Sequence, residues 1–250
     1  MKLSAVALVG LAGLVMLAGC TAAEPDATNN PTLPPSDAPT TSVESIYYPV
    51  AEGNTWVYSI DYGTGSTVTD TEVMTKVVTE GDGVRATIER TFVWDDGSQP
   101  DVVSTVDYLF GADGSVQVPF QSIPSAGGTV TVASGTMLWP TTAQFEAGTP
   151  TTGSLTATVD TSDQSIAETI DFTITGAGAE DVTVPAGTYS ARKLVQNLVI
   201  SLPDLGVSGL SIDAVTWLAD GVGPVRTEVP DTLGGGTTIV QVLLSFTPGS

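Results

Sequence analysis

Few residues in this chain have the type and spacing to do chemistry. The first set is Ser190-Ala191-Arg192-Lys193, which spells S-x-x-K, the arrangement in which a lysine serves a serine nucleophile. Its companion S-D-N and K-T-G sequences are absent, and the stretch is predicted as strand. Residues three apart on a strand face opposite sides, so Ser190 and Lys193 would not meet. The chain contains no His, which excludes a His-based triad and a His-containing zinc site. No G-x-S-x-G and no phosphate-cradling glycine loop occurs. Asp95-Asp96-Gly97-Ser98-Gln99-Pro100-Asp101 and Asp160-Thr161-Ser162-Asp163 gather oxygen ligands of the kind calcium takes. Neither has EF-hand spacing, and solvated turn acids are the simpler reading. Paired carboxylates could serve glycoside hydrolysis, but with 28 acids some pair by chance. The expectation is therefore no enzyme: no catalytic residue, no metal ligand set and no cofactor, with ligand-binding residues unknown.

Charge narrows the partners. The chain has 28 acidic against 7 basic residues, a formal charge of −21. Such a surface repels phosphate backbones, so nucleic acid is excluded as a partner. It also disfavours electrostatic adhesion to anionic lipid. The plain role of that charge is solubility. With a single Cys there is no internal disulfide, so the fold must be stable from its core alone. At 250 residues and 41% hydrophobic composition, one β domain with a core is affordable to the chain.

The one Cys has a specific context. Residues 1–20 read MKLSAVALVGLAGLVMLAGC: Lys2 is a short positive region, Leu3 to Leu17 an apolar stretch, and Leu17-Ala18-Gly19-Cys20 closes it. This resembles the processing signal of bacterial lipoproteins. The resemblance implies a signal peptide over 1–19, acylation of the Cys20 thiol and cleavage before it. The apolar stretch of ~15 residues is short for a transmembrane helix, whereas two or three acyl chains anchor stably. The expected location is the cell envelope, lipid-anchored on the extracytoplasmic side of a cell membrane or outer membrane.

Residues 20–45 read as the lipidated Cys followed by a disordered tether, with five prolines between Thr21 and Glu44 and almost no large apolar side chain. A spacer of that length averages roughly 25–30 Å end to end. A β-rich globular domain is predicted over 46–250. Trp56, Tyr58, Ile60 and Tyr62 share one face by period-two alternation. Further strand-like runs cover Thr67–Thr79, Val84–Trp94, Val102–Phe110, Thr129–Leu138, Gly153–Val159, Ile166–Ile174, Ser190–Leu202, Leu210–Leu218 and Thr237–Phe246, broken by Asp/Gly turns. Only Thr142–Glu146 and Ser162–Glu168 suggest helix. The fold class is all-β, a mainly antiparallel curved sheet closed as a half-open barrel or stacked as a sandwich to hide its edges.

Three motifs punctuate this domain: Tyr47-Tyr48-Pro49-Val50-Ala51-Glu52-Gly53-Asn54-Thr55-Trp56-Val57-Tyr58, then Val182-Thr183-Val184-Pro185-Ala186-Gly187-Thr188-Tyr189, then Trp217-Leu218-Ala219-Asp220-Gly221-Val222-Gly223-Pro224-Val225-Arg226. In this order they resemble a poorly characterised group of exported bacterial lipoproteins, similar in layout to the curved-sheet lipoprotein carriers of the Lol type. Residue by residue, each motif reads as a turn flanked by strands, with Trp56 and Trp217 as core anchors. The resemblance implies an apolar or amphipathic ligand held on the concave face. The competing reading is a structural lipoprotein with a filled core that presents its exterior to an envelope protein partner. An open groove lined by Trp94, Tyr108 and Trp139 would favour the first, and interdigitation of the three the second.

Overall fold

A computed structural model describes residues 45–249, apart from 64, 66, 99, 119–122, 126–127, 162–164 and 231–236. The expected signal peptide, Cys20 and all but the last residue of the expected tether lie outside the described residues. The described chain forms β1 (Thr55–Asp61), β2 (Thr67–Glu80), β3 (Gly83–Trp94), β4 (Val102–Phe110), β5 (Val116–Val118), β6 (Ile123–Ser125), β7 (Gly128–Ser134) and β8 (Met137–Trp139). Helix α1 (Thr142–Ala147) follows. The second half comprises β9 (Thr151–Thr161), β10 (Ser165–Val184), β11 (Gly187–Leu202), a 3-10 turn (Pro203–Leu205), β12 (Val207–Ala219), β13 (Gly223–Pro230) and β14 (Thr238–Thr247).

All fourteen strands belong to one antiparallel sheet of order β6-β7-β9-β10-β11-β12-β13-β14-β1-β2-β3-β4-β5-β8. The sheet wraps into a nearly closed barrel, as the all-β expectation required. The first strand pairs with the last, Thr55 opposite Thr247 and Asp61 opposite Val240, so the two ends of the described chain are locked side by side. Period-two alternation sets the inner face: Trp56, Tyr58 and Ile60 are buried on β1, and Ile166, Ile170, Phe172 and Ile174 on β10. Thr, Asp, Glu and Lys fill many of the outward positions.

The helix expected at Thr142–Glu146 is present, because its ends are chemically defined. Thr141 Oγ1 accepts from the Gln144 backbone N–H at 3.2 Å and Gln144 Oε1 accepts from the Thr141 N–H at 3.0 Å, a capping box. Gly148 ends the helix at φ 63°. The second helix candidate is corrected: Ser165–Glu168 is the start of β10, paired with Asp160–Ala157, and residues 162–164 lie outside the described residues. Strand β10 also runs to Val184, ten residues past the expected end at Ile174, through a register shift between Gly176 and Ala179.

Helix α1 sits against β10 at Gly176. A Cβ there would lie 2.2 Å from the carbonyl oxygen of Phe145, so only glycine allows this approach. Gly176→Ala is expected to lower stability by about 1–3 kcal/mol through overpacking. Urea unfolding checks this, and an unchanged midpoint would show that the helix is not docked there.

Candidate functional site

The three motifs converge on one end of the barrel. Tyr47 is fully buried and donates its hydroxyl to the Pro140 carbonyl at 2.7 Å. Its ring meets Trp139 edge-on at 4.9 Å and Phe145 at 6.0 Å. Tyr48 packs on Trp56 at 5.5 Å and on Tyr108 at 5.7 Å, and Tyr108 lies 6.5 Å from Trp139. The third motif is tied in by two hydrogen bonds: Trp56 Nε1 donates to the Val222 carbonyl at 2.6 Å, and Tyr58 donates to the Pro224 carbonyl at 3.1 Å. The second motif joins where the Ala186 N–H donates to the Leu243 carbonyl at 3.1 Å. Asn54, 2% exposed, donates to the Pro49 carbonyl and accepts from the Gly249 N–H, each at 2.7 Å. These contacts make an aromatic plug.

Trp56 is thus the core anchor expected of it. Trp217 is buried differently. Its Nε1 donates to Glu180 at 2.7 Å and the Arg226 guanidinium lies over its ring at 5.6 Å. Lys193 reaches the same Glu180 at 3.2 Å, and Arg192 pairs with Asp220 at 3.6 Å. A shell of charged side chains therefore covers Trp217. The same contacts settle S-x-x-K: the Lys193 ammonium is bound to a carboxylate, while Ser190 is exposed on the strand.

The acid-rich turns are also accounted for. Asp95 accepts from Thr67 and, at 3.0 Å, from Thr69, while Asp96 accepts from the Ser98 N–H at 2.9 Å. In the second turn, Ser162 and Asp163 lie outside the described residues. Among the described residues no group of three Asp, Glu, Cys or His is placed to hold a metal. A surface depression beside Asp82, Gly111 and Gln117 contains Asp113, whose carboxylate is committed to the Ser115 N–H at 3.0 Å and hydroxyl at 2.6 Å.

The interior holds what the sequence reading missed. Asp70 and Glu72 on β2 and Arg90 on β3 point inward just beneath the plug, with side chains 0%, 6% and 5% exposed. Arg90 Nη2 pairs with Asp70 and, at 3.0 Å, with Glu72, and its guanidinium lies 4.9 Å from the Phe92 ring centre. Burial pushes both carboxyls upward against the lowering field of Arg90. Burial also opposes the Arg90 charge, but the two carboxylates outweigh it and hold the guanidinium protonated. Burial lifts the neighbouring hydroxyls of Tyr48, Tyr58 and Tyr108 as well.

The fourth buried charge, Glu168, stands apart. It is 2% exposed, both carboxylate oxygens lack a hydrogen-bond partner, and burial raises its pKa to about 7. Its strand lies seven positions from β3 in the sheet order, so it stands well apart from the ion cluster. Along β10 it is eight residues from Gly176, roughly 26 Å from the plugged end.

Parity could have revealed all four. Asp70 and Glu72 fall between Val68 and Met74 on the inward phase of β2, and Glu168 between Ile166 and Ile170. Glu168 fell in the overlap of the expected strand Ile166–Ile174 and the helix candidate Ser162–Glu168, which obscured its phase.

Two outcomes follow from these groups. Arg90→Met strands two buried carboxylates and is expected to cost about 3–5 kcal/mol. The triple variant Asp70→Asn, Glu72→Gln, Arg90→Met should recover much of that loss in denaturant unfolding. Glu168 makes stability pH-dependent. With its folded pKa above the unfolded value, ionisation of the unfolded state alone begins near pH 4.5 and stability falls until about pH 7. The penalty levels near roughly 3 kcal/mol. Glu168→Gln should therefore gain on the wild type between pH 5 and pH 8, and a pH-independent difference would show that the carboxyl is solvated.

The fold has counterparts among solved structures. A candidate lipoprotein from Parabacteroides distasonis superposes with a TM-score of 0.59 at 16% identity, covering 82% of this chain and 99% of that one. A candidate exported protein with a YmcC-like fold from Bacteroides fragilis superposes with a TM-score of 0.56 at 15% identity, covering 82% and 100%. No curated protein matches the chain. The DUF3108-like family model matches residues 51–235, from just before β1 to just after β13, and the chain belongs to the DUF3108-like family.

Proposed function

We propose that this chain is an extracytoplasmic lipoprotein, anchored through lipid on Cys20, whose barrel is a non-enzymatic binding module for an apolar or amphipathic ligand. The observation that carries the reading is the wrapping of fourteen strands into one nearly closed barrel. A barrel of about 8 strands is filled by its own side chains, and the interior widens with strand number. A wall of fourteen strands is wider than that, which is the ground for reading it as an enclosure for a ligand. The likeness of the fold to candidate lipoproteins and exported proteins supports the envelope location.

The aromatic residues restrict where a ligand lies. Tyr108 and Trp139 interdigitate in the plug, 6.5 Å apart, while Trp94 is only partly buried and packs against the core on β3. A ligand therefore belongs to the half of the barrel away from the plug. The packing of Tyr108 and Trp139 is also the observation that favours the second reading, a structural or interaction lipoprotein without a ligand cavity.

Two measurements test the proposal. Cys20→Ala should move the protein from the detergent phase to the aqueous phase in phase partitioning of expressing cells, and retention in the detergent phase would refute a lipid anchor at Cys20. Native mass spectrometry of the protein extracted gently from the envelope should show a noncovalent mass that organic extraction removes. A bare mass together with no uptake of a fluorescent apolar probe would leave the interaction reading.

A further inference from the structure

We infer that Glu168 is the recognition group for the head of the barrel's ligand, and that this ligand is a cationic amphiphile: an alkyl tail carrying a protonated amine. The inference rests on the ligand-binding reading above and specifies the chemistry of that same site.

Glu168 sits on the inward phase of β10 among apolar neighbours. Ile166 and Ile170 flank it on its own strand, 4% and 0% exposed. Ala157 stands directly opposite on β9. On β11, Leu202 follows Ser201, the register partner of Thr169. A carboxyl in such surroundings is expensive to bury without a donor, and more so when charged. The fold nevertheless keeps one there with neither oxygen satisfied. Ala157 is the smallest of these neighbours, and a larger residue there would crowd the carboxyl. The helical turn at Pro203–Leu205 is held nearby, Asp204 accepting from the Ala167 N–H at 3.1 Å, so this segment of β10 is a fixed platform.

The sign of the head group follows from the interior charges. Among the described residues the buried charged side chains are Asp70, Glu72, Arg90 and Glu168, three carboxyls to one guanidinium. Arg90 is occupied by Asp70 and Glu72, and its strand lies seven positions away in the sheet order. An anionic head brought to Glu168 would meet a like charge with no buried cation beside it. An ammonium has three donors and no acceptor, so it satisfies both free oxygens and holds Glu168 ionised. The apolar positions along β9, β10 and β11 suit the tail.

The test uses the mature chain, residues 20–250, prepared without acylation, and three probes of equal tail length below their micelle concentrations: dodecylamine, dodecanol and dodecanoate. Each displaces the neutral fluorophore N-phenyl-1-naphthylamine. The expected result is that dodecylamine binds about tenfold more tightly than dodecanol and more tightly still than dodecanoate, the size of one charge-assisted hydrogen bond. Glu168→Gln should remove the preference for dodecylamine while the fluorophore still binds. Ala157→Leu, with Glu168 intact, should weaken all three probes. Equal binding of amine and alcohol, or a preference that survives Glu168→Gln, overturns the role of Glu168 and leaves the apolar-ligand reading standing. Failure of the fluorophore and all three probes to bind the folded wild type overturns both.

Discussion

The hydrogen bond from the Trp56 indole to the Val222 carbonyl joins the start of the described barrel to the turn before β13, across 166 residues of chain. Everything at the plugged end is arranged around it. Tyr48 meets the same ring edge-on and Phe246 stacks on it, and Tyr58, one inward position further along, repeats the link at Pro224. A sheet whose first and last strands must pair needs a long-range contact to bring them together, and no disulfide is available to do it. A fully buried indole supplies large apolar area and a single donor that must find an acceptor. It can therefore specify one closure rather than many. The turns that seem incidental in the sequence, Gly53-Asn54, Pro185-Ala186 and Gly221-Val222, are the points where this seal is made.

Against that well-satisfied end, the interior carries charge in two different ways. The Asp70–Arg90–Glu72 cluster is internally paired and joins β2 to β3, strands already in register. Buried ion pairs of this kind add little net stability but are costly to break from one side. Glu168 has no such compensation. Its cost is set by desolvation alone, and nothing in the packing of β9, β10 and β11 requires an acid at that position.

The sequence by itself determined the all-β class, most of the strand boundaries and the polarity of the two faces, because period-two alternation and Asp/Gly turns are local signals. It also identified Trp56 as an anchor, and it placed α1 through its own capping residues. It excluded His chemistry and disulfides outright, by composition. The sequence placed Ile166–Glu168 in both an expected strand and a helix candidate, and only the tertiary structure decided between them, because Ala157–Asp160 pairs with the segment. The same holds for burial of charge. Asp70, Glu72 and Glu168 look like ordinary surface acids in a chain that has 28 of them. Trp217 is buried in the core cluster as expected, but what covers it, Glu180 and Arg226, was not legible in the sequence. Whether an acid faces solvent, an arginine or bare hydrocarbon depends on strands distant in sequence, and that is set only when the sheet closes.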